Sequence, residues 1–127
     1  MEFYENRAIY LQIAEWVCGR IIENIWNAGD RIPSVREFAA ELEVNPNTVS
    51  RTYEFLQNEG ILFTKRGIGQ FVSANARSIA LDYLRKIFME NEMPSIIRHI
   101  RLLDISPKEW MELYDNNLNM NHYEKKQ

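Results

Sequence analysis

The chain is poor in the residues that build disulfides, metal sites and phosphate loops. It has one cysteine, Cys18, so it can form no internal disulfide, and two histidines, His99 and His122. Neither histidine stands at metal-ligand spacing from a second ligand-type residue, and no metal is expected. Five glycines are present, but none forms a phosphate-cradling loop, because Gly67-Ile68-Gly69 lies between two β-prone runs, not between a strand and a helix. No enzyme chemistry and no cofactor are therefore expected. No apolar run approaches the ~20 residues of a membrane span. The opening MEFYENRAIY carries acids and lacks the basic-then-apolar layout of a signal peptide. With a single cysteine, these features lead to an expected cytoplasmic location and no membrane partner.

Excess positive charge is also missing. The net charge is −3. Residues 1–73 hold seven Lys/Arg against ten Asp/Glu, and residues 74–127 hold eight of each. Nucleic-acid binders usually carry a basic surplus. Any contact with DNA must then rest on local cations, with the acids turned away from the phosphates.

What remains is globular composition: 127 residues, 46% hydrophobic and 26% charged, enough for one domain or a small domain with an appendage. Apolar residues at helical spacing predict a helix from about Ala8 to Asn27, closed by Gly29. In the next helix Ser34 and Glu37 form a capping box, and Val35, Phe38, Ala39 and Leu42 make the buried stripe. A third helix, 46–58, starts with Asn45 as N-cap and Pro46 at its first position, and Gly60 closes it. Two β-prone runs, Ile61–Thr64 and Gln70–Ser73, flank KRGIG and read as a hairpin. The remainder is helical in three segments, the second beginning near Pro94 and the third at Ser106-Pro107, ending in a frayed tail, NMNHYEKKQ. The expected fold is mainly α with a small β-hairpin: a winged helix-turn-helix over residues 1–74, then a short α-helical segment over 75–127.

The third helix has two faces. At about 100° per residue, Val49, Thr52, Tyr53 and Leu56 form its core stripe. Asn47, Arg51 and Glu54 lie opposite, flanked by Thr48, Ser50 and Phe55. Amide, hydroxyl and guanidinium groups match base edges in a major groove, and a recognition helix makes that contact with its N-terminal residues. Capping accounts for Asn45 but not for Asn47, Thr48, Ser50 and Arg51 together. Lys65 and Arg66, beside Gly67 at the hairpin tip, suit a narrow minor groove, although the same residues would serve in a solvated turn. Arg36 is placed either for a phosphate or base contact or for a surface ion pair with Glu37 or Glu41. The rival function is a winged-helix module for protein–protein assembly. Only Glu54 and Phe55 favour it.

AIYLQIAEWV, GDRIPSVREFAAELEVNPNTVSRTYEFLQNEGIL and RGIGQFV together resemble the winged helix-turn-helix domain of the GntR-family bacterial transcription regulators, over residues 8–73. The short remainder resembles the YtrA subfamily, in which a small helical segment dimerises the DNA-binding domains. The resemblance implies a sequence-specific regulator, expected to be a repressor, that binds an inverted-repeat operator as a homodimer. It puts the arginine of the second helix on Arg36. Recognition-helix contacts fall on Asn45, Asn47, Thr48 and Ser50, with Arg51 beside them, and wing-tip contacts on Arg66 and Gly67. The chain departs from the family pattern at Ala8 for proline, Thr52 for alanine and Gln70 for threonine, and Ser50 stands where many relatives have arginine.

The stripes Ile79, Tyr83, Ile87 and Ile97, Ile100, Leu103 must be covered. They can pack on the first helix of the same chain or form a two-fold dimer interface, and the resemblance implies the interface. The helical segment is too small to enclose a sizeable ligand. A small-molecule effector is neither named nor excluded by these residues.

Overall fold

The first helix, α1 (Ile9–Ile22), forms because Ile13, Ala14, Val17, Cys18 and Ile21 recur on one face, and all of them are buried. The computed structural model describes residues 1–3 and 6–124, with residues 118–124 by backbone alone. The expected frayed tail is helical through Glu124, and its last residues, 125–127, lie outside the described residues.

Helix α1 stops short of the Asn27 that periodicity predicts. Glu23 caps it, Asn24 takes a left-handed φ of 62°, and the Ile25 and Trp26 amides both donate to the Arg20 carbonyl at 2.9 and 3.2 Å. Asn is one of the few residues that enters this region at low cost. The early stop lets Trp26 fold back on Trp16 and Phe38, with ring centroids 6.0 and 5.9 Å away. Tertiary burial of an indole outweighs another turn of helix. Gly29 is accordingly not the helix cap. Its φ is 87° and its amide donates to the Val72 carbonyl at 2.8 Å.

Helix α2 (Val35–Leu42) begins where the Ser34 hydroxyl accepts from the Glu37 amide at 3.2 Å. Helix α3 (Pro46–Asn58) begins where the Asn45 side chain accepts from the Asn47 amide at 2.8 Å. Each cap satisfies a donor that the helix start would otherwise leave open, worth about 1 kcal/mol. Between them Glu43 takes a left-handed φ of 55°, making the tight turn of a helix-turn-helix.

Strands β1 (Leu62–Lys65) and β2 (Gly69–Val72) pair antiparallel, with Phe63 opposite Phe71 and Thr64 opposite Gln70. The strands start and end within one residue of the expected bounds. A third extended segment joins them. Ile32 N–H donates to Gln70 O at 3.0 Å, Val72 N–H donates to Asp30 O at 2.9 Å, and Arg31 faces Phe71 in an isolated antiparallel bridge.

Helix α4 (Ala76–Asn91) crosses the division between two compact units, Met1–Lys86 and Ile87–Gln127. The first unit therefore runs past residue 74, where the sequence pattern changes. The reason is packing: Ala76 and Ala80 are buried in its core, and Ile79, Tyr83 and Leu84 pack against it. Ile79 and Tyr83, both half-buried, thus find part of their cover within their own chain. The Tyr83 ring lies 5.5 Å from Phe55, and its phenol is pushed up by burial and by the nearby Glu15 carboxylate.

The second unit holds the end of α4, α5 (Met93–Leu102) and α6 (Pro107–Glu124). Ser106 caps α6, accepting from the Glu109 amide at 3.1 Å. No side chain of α5 is buried.

Cys18 makes a first prediction. It is fully buried, and burial, aided by Glu15, pushes its thiol up from 9.0 to about 12. Its folded form holds the proton that the unfolded form loses above about pH 9. Its contribution to stability is therefore intact below that pH and falls as pH rises towards 12. A thiol reagent at pH 8 should leave Cys18 unmodified until denaturant is added. Rapid modification of the native protein would contradict this packing.

Candidate nucleic-acid interface

Two buried side chains set the orientation of α3. The Tyr53 hydroxyl donates to the Pro33 carbonyl at 2.7 Å. The Thr52 hydroxyl, fully buried, donates to the Tyr10 carbonyl at 2.8 Å, with the Thr48 carbonyl at 3.1 Å. Alanine, the more usual residue at this position in the resemblance, could make neither contact. Thr52 therefore ties the middle of α3 to the start of α1.

With Val49, Thr52, Tyr53 and Leu56 buried, Asn47, Ser50, Arg51 and Glu54 are exposed on the opposite face. Thr48 is half-buried at its flank. The side-chain oxygen of Asn45 is committed to the cap, which leaves its amide NH2 to reach outwards. Phe55 does not lie on the open face. Its ring meets Tyr83 at 5.5 Å and Tyr10 at 6.4 Å. Of the two residues that favoured an assembly surface, Glu54 alone stays outward.

Arg51 has a partner that sequence spacing cannot reveal. Its guanidinium carbon lies 4.0 Å from the centre of the Tyr10 ring. A guanidinium resting on a ring face keeps its in-plane N–H donors free, so Arg51 is held in place without a carboxylate consuming its charge. Arg36 is exposed in the first turn of α2. Among the described residues the ion pair present is Arg7–Glu15 at 3.2 Å. Arg36 does not pair with Glu37 or Glu41.

The wing tip is a tight turn. Ile68 N–H donates to Lys65 O at 2.9 Å, and Gly67 has φ 78°. A type II turn needs that conformation at its third residue, which explains glycine there. Arg66 sits exposed beside it. The Lys65 ammonium lies 4.6 Å from the Phe71 ring centre and 5.9 Å from Phe63, over a stacked aromatic pair. Behind the wing, the Gln57 amide donates to Thr64 Oγ1 at 2.9 Å and to Gln70 Oε1 at 2.7 Å, and Gln70 Nε2 donates to Thr64 Oγ1 at 2.9 Å. This closed amide–hydroxyl triangle joins the C-terminal half of α3 to both strands. It gives Gln70, where threonine is commoner, a job of its own.

Sequence reasoning missed Tyr10, Gln57, Thr64 and Gln70 as parts of this surface. Each acts through a partner six or more positions away. Among the described residues no three His, Cys, Asp or Glu side chains come together in a way that could hold a metal, and no helix is long and apolar enough to cross a membrane. The side chain of His122 is outside the described residues.

An exposed polar helix face, beside a cation-bearing hairpin and behind a helix-turn-helix, defines a winged-helix DNA-binding module. Residues 9–72 match the family described as bacterial regulatory proteins, gntR family, and the chain belongs to it. It is a DNA-binding transcription regulator, not an enzyme. It is 33% identical over 111 residues to an uncharacterised helix-turn-helix transcriptional regulator of Bacillus subtilis, YhcF, covering 87% of this chain and 90% of that protein. It is 42% identical over 74 residues to the B. subtilis transcriptional repressor YtrA, covering 58% of this chain and 57% of that protein. A solved GntR-family regulator from Bacteroides thetaiotaomicron superposes with a TM-score of 0.74 at 38% identity, covering 90% of this chain and 99% of that one.

Proposed function

We propose that this regulator is a repressor that binds an inverted-repeat operator as a homodimer in the cytoplasm, with α3 in the major groove and wing residues 65–69 in the minor groove. The observation that carries the major-groove assignment is the outer face of α3, where Asn47, Ser50 and Arg51 are exposed together and Arg51 is held on Tyr10 without an acid partner. Arg51 and Asn47 supply the donor and acceptor patterns that read guanine and adenine. Thr48 and Asn45 contribute from the helix start. Arg36, Lys65, Arg66 and the Gly67 backbone add phosphate and minor-groove contacts. Glu54 stands in the C-terminal half of α3 and makes no ion pair with Arg51.

Dimerisation is supported by the second unit. An apolar cavity of about 530 Å³ opens beside α5 and α6, lined by Met93, Ile97, Ile100, Ile105, Trp110 and Met111 among others. Leu103 and Leu102 are 64% and 77% exposed. A helical segment with this much open apolar surface gains stability by pairing with a second copy. Of the expected interface residues, Ile87, Ile97, Ile100 and Leu103 belong to this unit. Two recognition helices on one dimer would read half-sites about one DNA turn, ~34 Å, apart. Repression is supported by the name of the YtrA relative.

The test is a mobility shift on the DNA upstream of the protein's own gene, in rising salt. Arg51→Ala should cost roughly 1–3 kcal/mol on the cognate site and relax selectivity at one base pair. Dimerisation should be unchanged, since Arg51 is exposed on α3 in the first unit. Full affinity in Arg51→Ala would remove α3 from the groove.

A further inference from the structure

We infer that Arg31 is an additional DNA-backbone contact, a phosphate clamp on the flank of the wing. This rests on the operator-binding reading above. Residues 30–32 run antiparallel beside β2, so alternation sets Ile32, 3% exposed, towards the core and Arg31 towards the outside. Arg31 faces Phe71, and Phe71 faces Phe63, so these side chains share the outer face of the hairpin with Lys65 and Gly69. Gly69 lies diagonally across from Arg31, towards the wing tip.

The Arg31 side chain lies across Gly69. A Cβ built on Gly69 would stand 2.9 Å from Arg31 Nε and 3.6 Å from Cζ. The missing side chain is what gives the guanidinium its bed, and it directs Arg31 along the strand towards Arg66 and Gly67. Gly69 also has φ 148°, a conformation that L side chains rarely adopt. Two requirements, backbone shape and guanidinium space, meet at one glycine. Arg31 is exposed, and no carboxylate among the described residues pairs with it. The neighbouring acid is occupied otherwise, since Asp30 Oδ2 accepts from the Asn27 amide at 2.8 Å.

Arg31, Lys65 and Arg66 therefore gather three cations, none with a carboxylate partner among the described residues, on the hairpin and the segment beside it, in a half of the chain that is net acidic. Lys65 is held over Phe71 and Arg31 over Gly69, so two of the three are fixed by the wing itself. Fixed cations beside a minor-groove element suit the phosphates that border that groove. Such contacts set position and affinity without reading sequence.

The experiment compares wild type, Arg31→Met and Arg31→Lys on the upstream duplex and on an unrelated duplex across a salt series. Met keeps the stem that covers Gly69 and removes the charge, and a thermal melt checks that the fold is intact. Arg31→Met should weaken binding to both duplexes by the same factor and reduce the slope of log affinity against log salt by about 0.9. Arg31→Lys should restore the slope. An unchanged slope in Arg31→Met, or a loss confined to one base pair of the upstream site, overturns the clamp and leaves operator binding standing. Failure of the wild type to bind the upstream duplex more tightly than the unrelated one overturns operator binding itself.

Discussion

Ile100→Glu is expected to convert a dimer into a monomer and to weaken operator binding by about 10²–10⁴-fold. Ile100 is half-buried and lines the apolar cavity beside α5 and α6 together with Ile97 and Trp110. Within the described part of its own chain nothing closes that cavity, so the side chain keeps access to water. If a second copy covers the cavity, a carboxylate at this position loses its water and gains no partner, which costs several kcal/mol. A dimer holds its second half-site at a high effective concentration once the first is bound, and a monomer forfeits that factor. Sedimentation equilibrium reads the oligomeric state, and a mobility shift reads the affinity. The first unit, Met1–Lys86, should melt as before. A variant that stays dimeric at the wild-type concentration would show that this cavity faces something other than its twin.

Phe38→Ala is expected to destabilise the first unit by about 3–5 kcal/mol. Phe38 is fully buried and is the hub of the aromatic cluster, 5.6 Å from Trp16, 5.9 Å from Trp26 and 6.0 Å from Tyr53. Three rings wall the space that its loss would open. A small domain has 5–15 kcal/mol of stability in all, so the variant should lie near its unfolding threshold at 37 °C. Urea unfolding followed by tryptophan fluorescence measures the change directly, since Trp16 and Trp26 both touch Phe38. A loss below 1 kcal/mol would mean that the cluster collapses without cost. Trp26 ties the loop after α1 to α2, so weaker operator binding should accompany the lost stability, in proportion to the unfolded fraction.

How much of this was legible beforehand follows the range of each interaction. The caps at Ser34 and Asn45 bond two or three residues on, and the α3 stripe repeats within two turns, so both could be read from neighbouring letters. The end of α1 could not. Periodicity continues to Ile25, but the helix ends after Ile22, where Trp26 turns back onto Trp16 and onto Phe38, twelve positions beyond it. Ile79 and Tyr83 show the same limit. An amphipathic stripe states that a face must be covered, but not whether its own chain or a second copy covers it.

The sequence by itself determined the helix-turn-helix and its hairpin, the polar outer face of α3 and the family to which the chain belongs, because each is written in local spacing and short motifs. Only the tertiary structure decided where Arg51 rests, which residues lock the wing to α3, that Arg31 shares the wing's outer face and that the first unit reaches Lys86. The first three join positions 41, 13 and 40 residues apart, Arg51 with Tyr10, Gln70 with Gln57 and Arg31 with Phe71. Each forms because the buried core brings two distant segments together, and nothing in either segment alone encodes the meeting.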